Sequence, residues 1–287
     1  MQKKRTVLLS RREAAGSLAL AAFGVVLAAC GGSSVVASAS SSGASGDGGG
    51  NDGETTGDGG ATLDSGGSAD AWASGGTQAM TDAASYPSPF PTAGLACVLI
   101  PTATEGPCTE AADQVRKDIS EGYTGLPMRL ALRVVDASCN PIAGAKVKIW
   151  HTQITGSYSG NTPNDGMCLK SAAEGEKHYF RGVQTTDADG RVDFDSCFPG
   201  WYRSRTVHIH FTVTLNGRSF TSQLVFDQAL VAEIFVNHAE YKQFGQPDTT
   251  NATDNVVKAD PAAYTLKTAR MTDGAMLASK DLIVSVG

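Results

Sequence analysis

The stretch "TVHIHFTV", residues 206–213, alternates apolar and polar side chains as a strand does when one of its faces is buried. Successive side chains of a strand point to opposite faces, so Val207 and Ile209 share one face. His208 and His210 share the other. The apolar face predicts contact with a core. The opposite face presents two imidazoles side by side, which suits either two solvated histidines or two ligands of one metal ion.

Further short segments of the chain show the same strand-like pattern. They are "RLALRVVD" (129–136), "AKVKIWH" (145–151), "GRVDFDS" (190–196), "SFTSQLVFD" (219–227) and "DLIVSV" (281–286). Turn signals such as Asp189-Gly190 and Pro199-Gly200 separate them. "DQALVAEIFVNHAEY" (227–241) carries a helical apolar stripe. Many short strands between turns predict an all-β fold, a β-sandwich of antiparallel or mixed strands with one or two short helices.

The first 30 residues have the features of an export signal. Basic residues precede an apolar run that is shorter than the ~20 residues of a membrane span, and the run ends in "LAAC" (27–30). This ending resembles a bacterial lipobox, which implies cleavage after residue 29 and a lipid on Cys30. Arg11-Arg12 also suggests the twin-arginine route. We therefore expect an exported protein that is lipid-anchored to the bacterial cell envelope, on its periplasmic or cell-surface face.

The segment 30–90 consists mainly of Gly, Ser, Ala, Thr and Asp, so we expect a disordered tether. The predicted organisation is a signal peptide at 1–29, a lipidated Cys30 with its tether at 30–90, and one folded domain at 91–287. The chain has 23 basic and 29 acidic residues, and much of the acidic excess lies in the tether. The domain is therefore nearly balanced in charge and has no basic footprint for nucleic acid.

Five cysteines follow Cys30 in the sequence. They are Cys97, Cys108, Cys139, Cys168 and Cys197. Disulfides are expected in an exported domain, but an odd number leaves at least one thiol unpaired or bonded to another chain. Because the sequence does not choose among the possible pairings, they remain open at this point.

Several blocks of sequence, in a fixed order, carry a likeness that goes beyond periodicity. They are "TEGP" (104–107), "RKDISEGYTGLPMRLALRVVDASCNPIAGAKVKIWH" (116–151), "GSYSG" (156–160), "FRGVQTTDADGRVDF" (180–194) and "PGWYRSRTVHIHF" (199–211). From about residue 97 to residue 226 the chain resembles the intradiol ring-cleavage dioxygenases, which include the protocatechuate and catechol enzymes. It is most similar to their exported, lipoprotein branch. The mixed β-sandwich of that family agrees with the strand pattern.

The resemblance implies a non-haem Fe(III) ion held by two tyrosines and two histidines. The matching positions are Tyr158, Tyr202, His208 and His210. Phenolate is a hard, anionic donor that suits a highly charged cation. A phenol with a pKa near ~10 also needs a strong Lewis acid to ionise at neutral pH. Because the two tyrosines accompany them, His208 and His210 are interpreted as metal ligands and not as solvated side chains.

The resemblance also implies an enzyme that inserts O₂ into a catechol-type ring and cleaves it between the two hydroxylated carbons. Tyr202 would leave the ion and take a substrate proton, Arg205 would stabilise negative charge on the ring, and Gln223 would lie near the oxygen pocket. One position departs from the family pattern: Cys108 stands where the block commonly reads T-E-G-P-Y. Because this position lies near the substrate entrance, we expect a reshaped pocket.

Two other functions are compatible with parts of the sequence. The first is a non-catalytic, metal-binding surface β-sandwich. The second is a copper or zinc site that combines the two strand histidines with His151 or His178, although two phenolates would be poor zinc ligands. His151 is predicted to be structural, and no motif surrounds His178 or His238.

Overall fold

The computed structural model describes residues 71–90, 99–111, 114–163 and 166–284, all within one compact unit. Its strands and α-helices are β1 (Pro127–Val135), β2 (Lys146–Trp150), β3 (Arg181–Thr185), β4 (Arg191–Cys197), β5 (His208–Leu215), β6 (Arg218–Val225), α1 (Gln228–Asn237), α2 (Pro261–Tyr264), β7 (Lys267–Arg270) and β8 (Met276–Ile283). The predicted signal peptide, Cys30 and the tether up to residue 70 lie outside the described residues. No helix in the described ranges has the length and apolar character of a membrane span.

Two four-stranded sheets enclose the core. One sheet has the strand order β4-β1-β8-β7, and the other has the order β3-β2-β5-β6. Neighbouring strands are antiparallel except β1 and β8, which run parallel. The prediction of an all-β, mixed sandwich with short helices is therefore confirmed.

The first half of strand β5, residues 208–211, is buried on both of its faces. Ile209 and Phe211 are fully buried in the core that the two sheets share. On the opposite face His208 and His210 are only 3% and 2% exposed, so the alternative of two solvated histidines is wrong. The sheet β3-β2-β5-β6 thus has the core on one side and a second buried cluster on the other. The members of this cluster are Cys108, Trp150, Tyr158, Cys168, Leu169 and Tyr202.

Three strands differ from the sequence pattern. β3 is absent from its segments, and the Asp189-Gly190 turn that follows β3 joins two strands of different sheets. The pattern does not predict β7, a short edge strand whose side chains are mostly exposed. It also places the start of β8 at Asp281 instead of Met276. Lys280 and Asp281 interrupt the apolar pattern, but Lys280 Nζ donates to a backbone carbonyl (2.9 Å) and Asp281 pairs with Arg133 (2.6 Å). These contacts are tertiary, so periodicity does not reveal them.

Residues 71–90 form an arm that packs on the sandwich, although the sequence predicts a tether up to residue 90. The backbone N–H groups of Ala73 and Gly76 donate to carbonyl oxygens of the domain, at 2.9 and 2.8 Å. The Tyr86 ring lies 5.3 Å from the guanidinium carbon of Arg129. The anchors of the arm are large side chains spaced along it, namely Trp72, Met80, Tyr86 and Phe90. These anchors were not predicted, because the Gly-, Ser- and Ala-rich composition of the whole segment 30–90 outweighs a few large side chains.

Candidate active site

Three neighbouring strands place three side chains of the site in one row. The register aligns Trp150 of β2 with His210 of β5, and His210 with Gln223 of β6. The Trp150 ring stacks on the His210 ring, with centroids 4.8 Å apart and planes 9° from parallel. His208 lies two residues before His210 on the same face. Strand pairing therefore sets the orientation of the imidazoles.

Two loops bring the predicted tyrosines to this row. Tyr158 lies in the loop between β2 and β3, and Tyr202 lies in the turn between β4 and β5. A Cβ at Gly156, where φ is +78°, would collide with the carbonyl oxygen of Trp201. A Cβ at Gly200 would collide with carbonyl oxygens of the Tyr158 loop. The two glycines thus allow the tyrosine loops to pack backbone against backbone.

The structure brings all four predicted ligands together at one point. The hydroxyl oxygens of Tyr158 and Tyr202 each lie 3.3 Å from His208 Nε2. His210 Nε2 lies 3.1 Å from the same nitrogen. All four side chains are buried, and Tyr202 is the most exposed of them at 9%. Two phenol oxygens and two imidazole nitrogens therefore face a common centre.

Hydrogen bonding alone does not account for this arrangement. His208 Nδ1 lies 2.6 Å from the Thr206 carbonyl oxygen and must donate to it, which leaves a single lone pair on Nε2. Three of the groups facing that lone pair are the other predicted ligands, and a fourth is Arg205 Nη1 at 3.4 Å. His210 Nδ1 has no hydrogen-bond partner among the described residues. A cation at the centre would accept the lone pairs of all four ligands, so the donor set fits a metal ion.

The electrostatics of the buried ligands point the same way. Burial, and then the charge of Arg205, lowers the pKa of His208 to about 3. Burial and the neighbouring His208 hold the pKa of His210 well below its ordinary value. Burial also raises the pKa of Tyr158 well above its ordinary value. The imidazoles are therefore neutral, as metal ligands require, and the phenols need a cation nearby in order to ionise.

Arg205 acts on Tyr202 more strongly than on Tyr158, whose pKa the charges of Arg205 and Arg181 also lower, but as weaker causes. Burial raises the pKa of Tyr202 as well, but the charge of Arg205 opposes that rise. The guanidinium of Arg205 also donates through Nη2 to the side-chain oxygen of Gln223. Gln223 in turn donates to the Thr104 carbonyl oxygen at 2.9 Å. Arg205 and Gln223, both predicted as catalytic residues, thus lie together beside the ligand cluster.

The Tyr158 loop is fastened by contacts that the sequence did not predict. Cys108 forms a disulfide with Cys168, and the Cys168 carbonyl accepts a hydrogen bond from Tyr158 N at 2.7 Å. The buried Arg181 donates to the carbonyl oxygens of Cys108 (2.7 Å) and Ser159 (2.6 Å). Cys108 is therefore not a small free side chain at the entrance. Its disulfide ties two loops behind the tyrosine.

Cys97 lies outside the described residues, and the other described cysteines and histidines lie outside the ligand cluster. Cys139 is also disulfide-bonded, and Cys197 is a buried free thiol. His151 Nε2 bonds to Ser196 Oγ at 2.7 Å, which confirms its structural role. His178 pairs with Glu110, so neither histidine joins the strand pair in a copper or zinc site. Within the described ranges no group of three or more His, Cys, Asp or Glu side chains is placed to hold a metal ion.

Sequence reasoning missed Asp254, which forms an ion pair with Arg205 at 2.8 Å. It also missed Trp150 as the stacking partner of His210. Both strands were predicted, but the register that places Trp150 opposite His210 is decided by the tertiary structure. No local signal marks Asp254, because it lies after α1 and beyond the blocks that carry the resemblance.

Comparison with known proteins agrees with this geometry. The family model described as Dioxygenase matches residues 101–267, more than half of the chain. An intradiol ring-cleavage dioxygenase of Aspergillus niger is 26% identical over 224 residues, which are 73% of this chain and 63% of that relative. The chain belongs to the intradiol ring-cleavage dioxygenase family.

Two further members of this family show how far the likeness extends. A chlorocatechol 1,2-dioxygenase of Rhodococcus opacus is 28% identical over 120 residues, which are 35% of this chain and 43% of that protein. The structure of an intradiol ring-cleavage dioxygenase from Tetranychus urticae superposes with a TM-score of 0.59 and 28% identity. It covers 65% of this chain and 94% of the mite protein. The chain spans less than two thirds of the length of the two curated relatives.

Proposed function

We propose that this family member is a non-haem Fe(III) dioxygenase that inserts O₂ into a catechol-type ring and cleaves it between the two hydroxylated carbons. The observation that carries the proposal is the convergence of two phenol oxygens and a second imidazole nitrogen on His208 Nε2, each within 3.3 Å of that nitrogen. The printed names of its relatives, which specify intradiol cleavage and a chlorocatechol, support the reaction and the substrate class.

The residues that would hold the ion are Tyr158, Tyr202, His208 and His210. When bound there, a ferric ion supplies the Lewis acidity that ionises phenols and catechol hydroxyls and the redox chemistry that dioxygen requires. The neutral imidazoles contribute no charge, so the two phenolates offset most of the charge of the ion. The buried cluster also keeps bulk water from the ligands.

The roles of the remaining residues follow from charge and position. Tyr202 lies beside the Arg205 guanidinium, so of the two tyrosines it is the better placed to act as a base. Its phenolate oxygen would accept a proton from a catechol hydroxyl. Arg205 presents a fixed positive charge next to the cluster, which stabilises an anionic substrate ring. Gln223, held by Arg205 and by the Thr104 carbonyl, offers an amide at the same edge.

We propose in addition that the domain works in the cell envelope, exported and anchored through a lipid on Cys30. Support comes from the lipobox-like ending of the leader and from disulfide bonding at Cys108, Cys139 and Cys168, which suits an oxidising compartment. Mass spectrometry of the mature N-terminus tests this: cleavage before Cys30 with a diacylglyceryl mass is expected. An intact Met1 would contradict it.

The catalytic proposal is tested with the purified protein, a panel of catechols and an oxygen electrode. We expect iron close to one per chain, a visible phenolate-to-iron band that shifts with catechol, and oxygen uptake with at least one catechol. His210→Ala should lose the iron and the band. Thr212→Ala is the matched control, because Thr212 lies on the same face of β5 but bonds to Thr221 away from the cluster (2.9 Å). Iron and colour without oxygen uptake would favour the non-catalytic, metal-binding sandwich.

A further inference from the structure

The turn that carries Tyr202 is held by a loop that follows α1. Trp201 Nε1 donates to the Gly245 carbonyl oxygen at 3.1 Å, and Ser204 N donates to Asp248 at 3.0 Å. At its far end the loop reaches Arg205 itself through the carboxylate of Asp254. The loop therefore contacts the turn at three separate points.

Asp254 has a buried carboxylate whose two oxygens accept hydrogen bonds from different segments of the chain. Oδ1 accepts the backbone N–H groups of Val256 (2.8 Å) and Val257 (3.1 Å) and so closes a turn of its own loop. Oδ2 accepts Arg205 Nε (2.8 Å) and Thr206 N (3.0 Å). Burial opposes its charge, but the hydrogen bond and the charge of Arg205 lower the pKa of Asp254 below its ordinary value.

The negative charge of Asp254 is not needed for the turn of its own loop. A neutral amide oxygen would accept the bonds from Val256 and Val257 equally well, and a buried charge costs desolvation energy. Among the described residues the ion-pair partner of Asp254 is Arg205. The charge is therefore directed at the guanidinium.

A fixed Nε sets the direction of the whole guanidinium, because the group is planar and its donors form a rigid fork. With Nε on Asp254, Nη2 donates to Gln223 and Nη1 lies 3.4 Å from His208 Nε2. Without that anchor the side chain of Arg205, which is 15% exposed, is free to turn toward solvent. The placement of this cation beside the ligand cluster thus depends on a loop outside the motif blocks.

We infer that Asp254 is the positioning residue for Arg205, and that through Arg205 it controls how strongly the site stabilises an anionic catechol. This inference rests on the proposed function. It extends the site to a loop that the sequence motifs do not include.

The test compares Asp254→Asn with wild type in iron content, melting temperature, anaerobic catechol titration and steady-state kinetics. Asparagine keeps the acceptor for Val256 and Val257 but places an N–H group against Arg205 Nε and also against Thr206 N. We expect normal iron and resting colour, a changed spectrum of the anaerobic catechol complex, and kcat lowered about 10- to 100-fold. Asp254→Glu, which retains the charge, should recover part of kcat. Asp260→Asn is the charge-matched control on the same part of the chain, where Asp260 caps α2 and does not contact Arg205.

A double-mutant cycle separates positioning from a purely structural role. If Asp254 acts through Arg205, Asp254→Asn combined with Arg205→Gln should be within about twofold of Arg205→Gln alone. Independent, multiplying effects would overturn the inference. So would an Asp254→Asn protein that loses its fold or its iron, since the residue would then serve only the structure.

The outcomes also separate this inference from the proposed function. Wild-type protein that takes up no oxygen with any catechol contradicts the proposed function. If the wild-type protein turns over catechol and the Asp254→Asn variant has the same kcat, only the role of Asp254 is contradicted. An anaerobic catechol spectrum that Asp254→Asn leaves unaltered contradicts that role in either case.

Discussion

Tyr158 and Tyr202 have the same side chain but different surroundings. Tyr158 is fully buried, and its backbone N–H and C=O are bonded to Cys168 and to the Tyr179 hydroxyl, at 2.7 and 3.0 Å. Tyr202 lies in a turn where Ser204 has a positive φ of 67°, an uncommon conformation for a residue other than glycine. Tyr158 is thus held by hydrogen bonds to its own backbone from other loops, whereas Tyr202 lies in a turn that is held through Trp201 and Ser204 and stands beside Arg205.

This difference predicts different failures when each hydroxyl is removed. Tyr202→Phe should keep its iron but lose the base, so that oxygen uptake falls by ~10²–10⁴-fold. Tyr158→Phe should lower the iron content and bleach or shift the charge-transfer band even in the catechol complex. Iron analysis, visible spectra and oxygen uptake on both variants decide between these outcomes. Wild-type turnover in Tyr202→Phe would remove the base role and leave only a ligand role.

At the scale of elements, the site depends on how two loops are fastened to a sheet. Strands β2, β5 and β6 provide a rigid row, whereas the Tyr158 loop between β2 and β3 has little regular structure. Cys108, Trp150, Tyr158, Cys168, Leu169 and Tyr202 form the second buried cluster described above. The disulfide is the covalent part of this cluster, so it stabilises the loop where strand pairing does not.

Removal of this disulfide should affect both stability and the metal site. In the chain-entropy model, a cross-link over a sequence separation of 60 residues contributes about 4 kcal/mol to the free energy of unfolding. Cys108→Ser with Cys168→Ser should lose much of that and bind iron more weakly, because Tyr158 N bonds to the Cys168 carbonyl. Urea denaturation and iron titration measure the two effects. Cys197→Ala is the control, because it removes a cysteine without breaking the disulfide. Cys197 is a free thiol in the sandwich core, where burial raises its pKa. An unchanged iron affinity in the double variant would separate the disulfide from the site.

At the scale of the whole molecule, His151 joins the two sheets. It follows β2 in one sheet, and its Nε2 bonds to Ser196 of β4 in the other. Its Nδ1 donates to the Thr152 carbonyl oxygen (2.9 Å), and its ring stacks on Phe180. Burial lowers the pKa of His151 to about 4, so the folded protein holds it neutral.

A histidine whose pKa is lowered by folding makes stability depend on pH in a fixed direction. The unfolded chain binds a proton at this residue below about pH 6.5 and the folded protein does not until about pH 4. Its contribution is therefore complete above pH 6.5 and falls as the pH decreases toward 4, by up to about 1.4 kcal/mol per pH unit. Urea unfolding of iron-free wild type and His151→Gln between these pH values should show a shallower dependence in the variant. Equal slopes would mean that His151 is protonated in the folded protein.

Much of the fold was predictable because the relevant information is local. Alternation along β1, β2, β4, β5 and β6 marks strands whatever their partners, and the apolar stripe marks α1. The candidate ligands were also predictable, because the motif blocks containing Tyr158, Tyr202, His208 and His210 lie within short stretches of sequence. By contrast, β7 and the full length of β8 were not predictable, since pairing and ion pairs with distant residues stabilise them.

The sequence by itself determined the fold class, the shared face of His208 and His210, and the chemical types of the donors at the site. Only the tertiary structure decided that the four donors converge, that Cys108 bonds to Cys168, and that Asp254 faces Arg205. It also decided that residues 71–90 pack as an arm. The physical reason is the range of the interactions: periodicity and turn chemistry act between near neighbours, whereas a metal-ligand set, a disulfide and a buried ion pair join residues far apart in the chain.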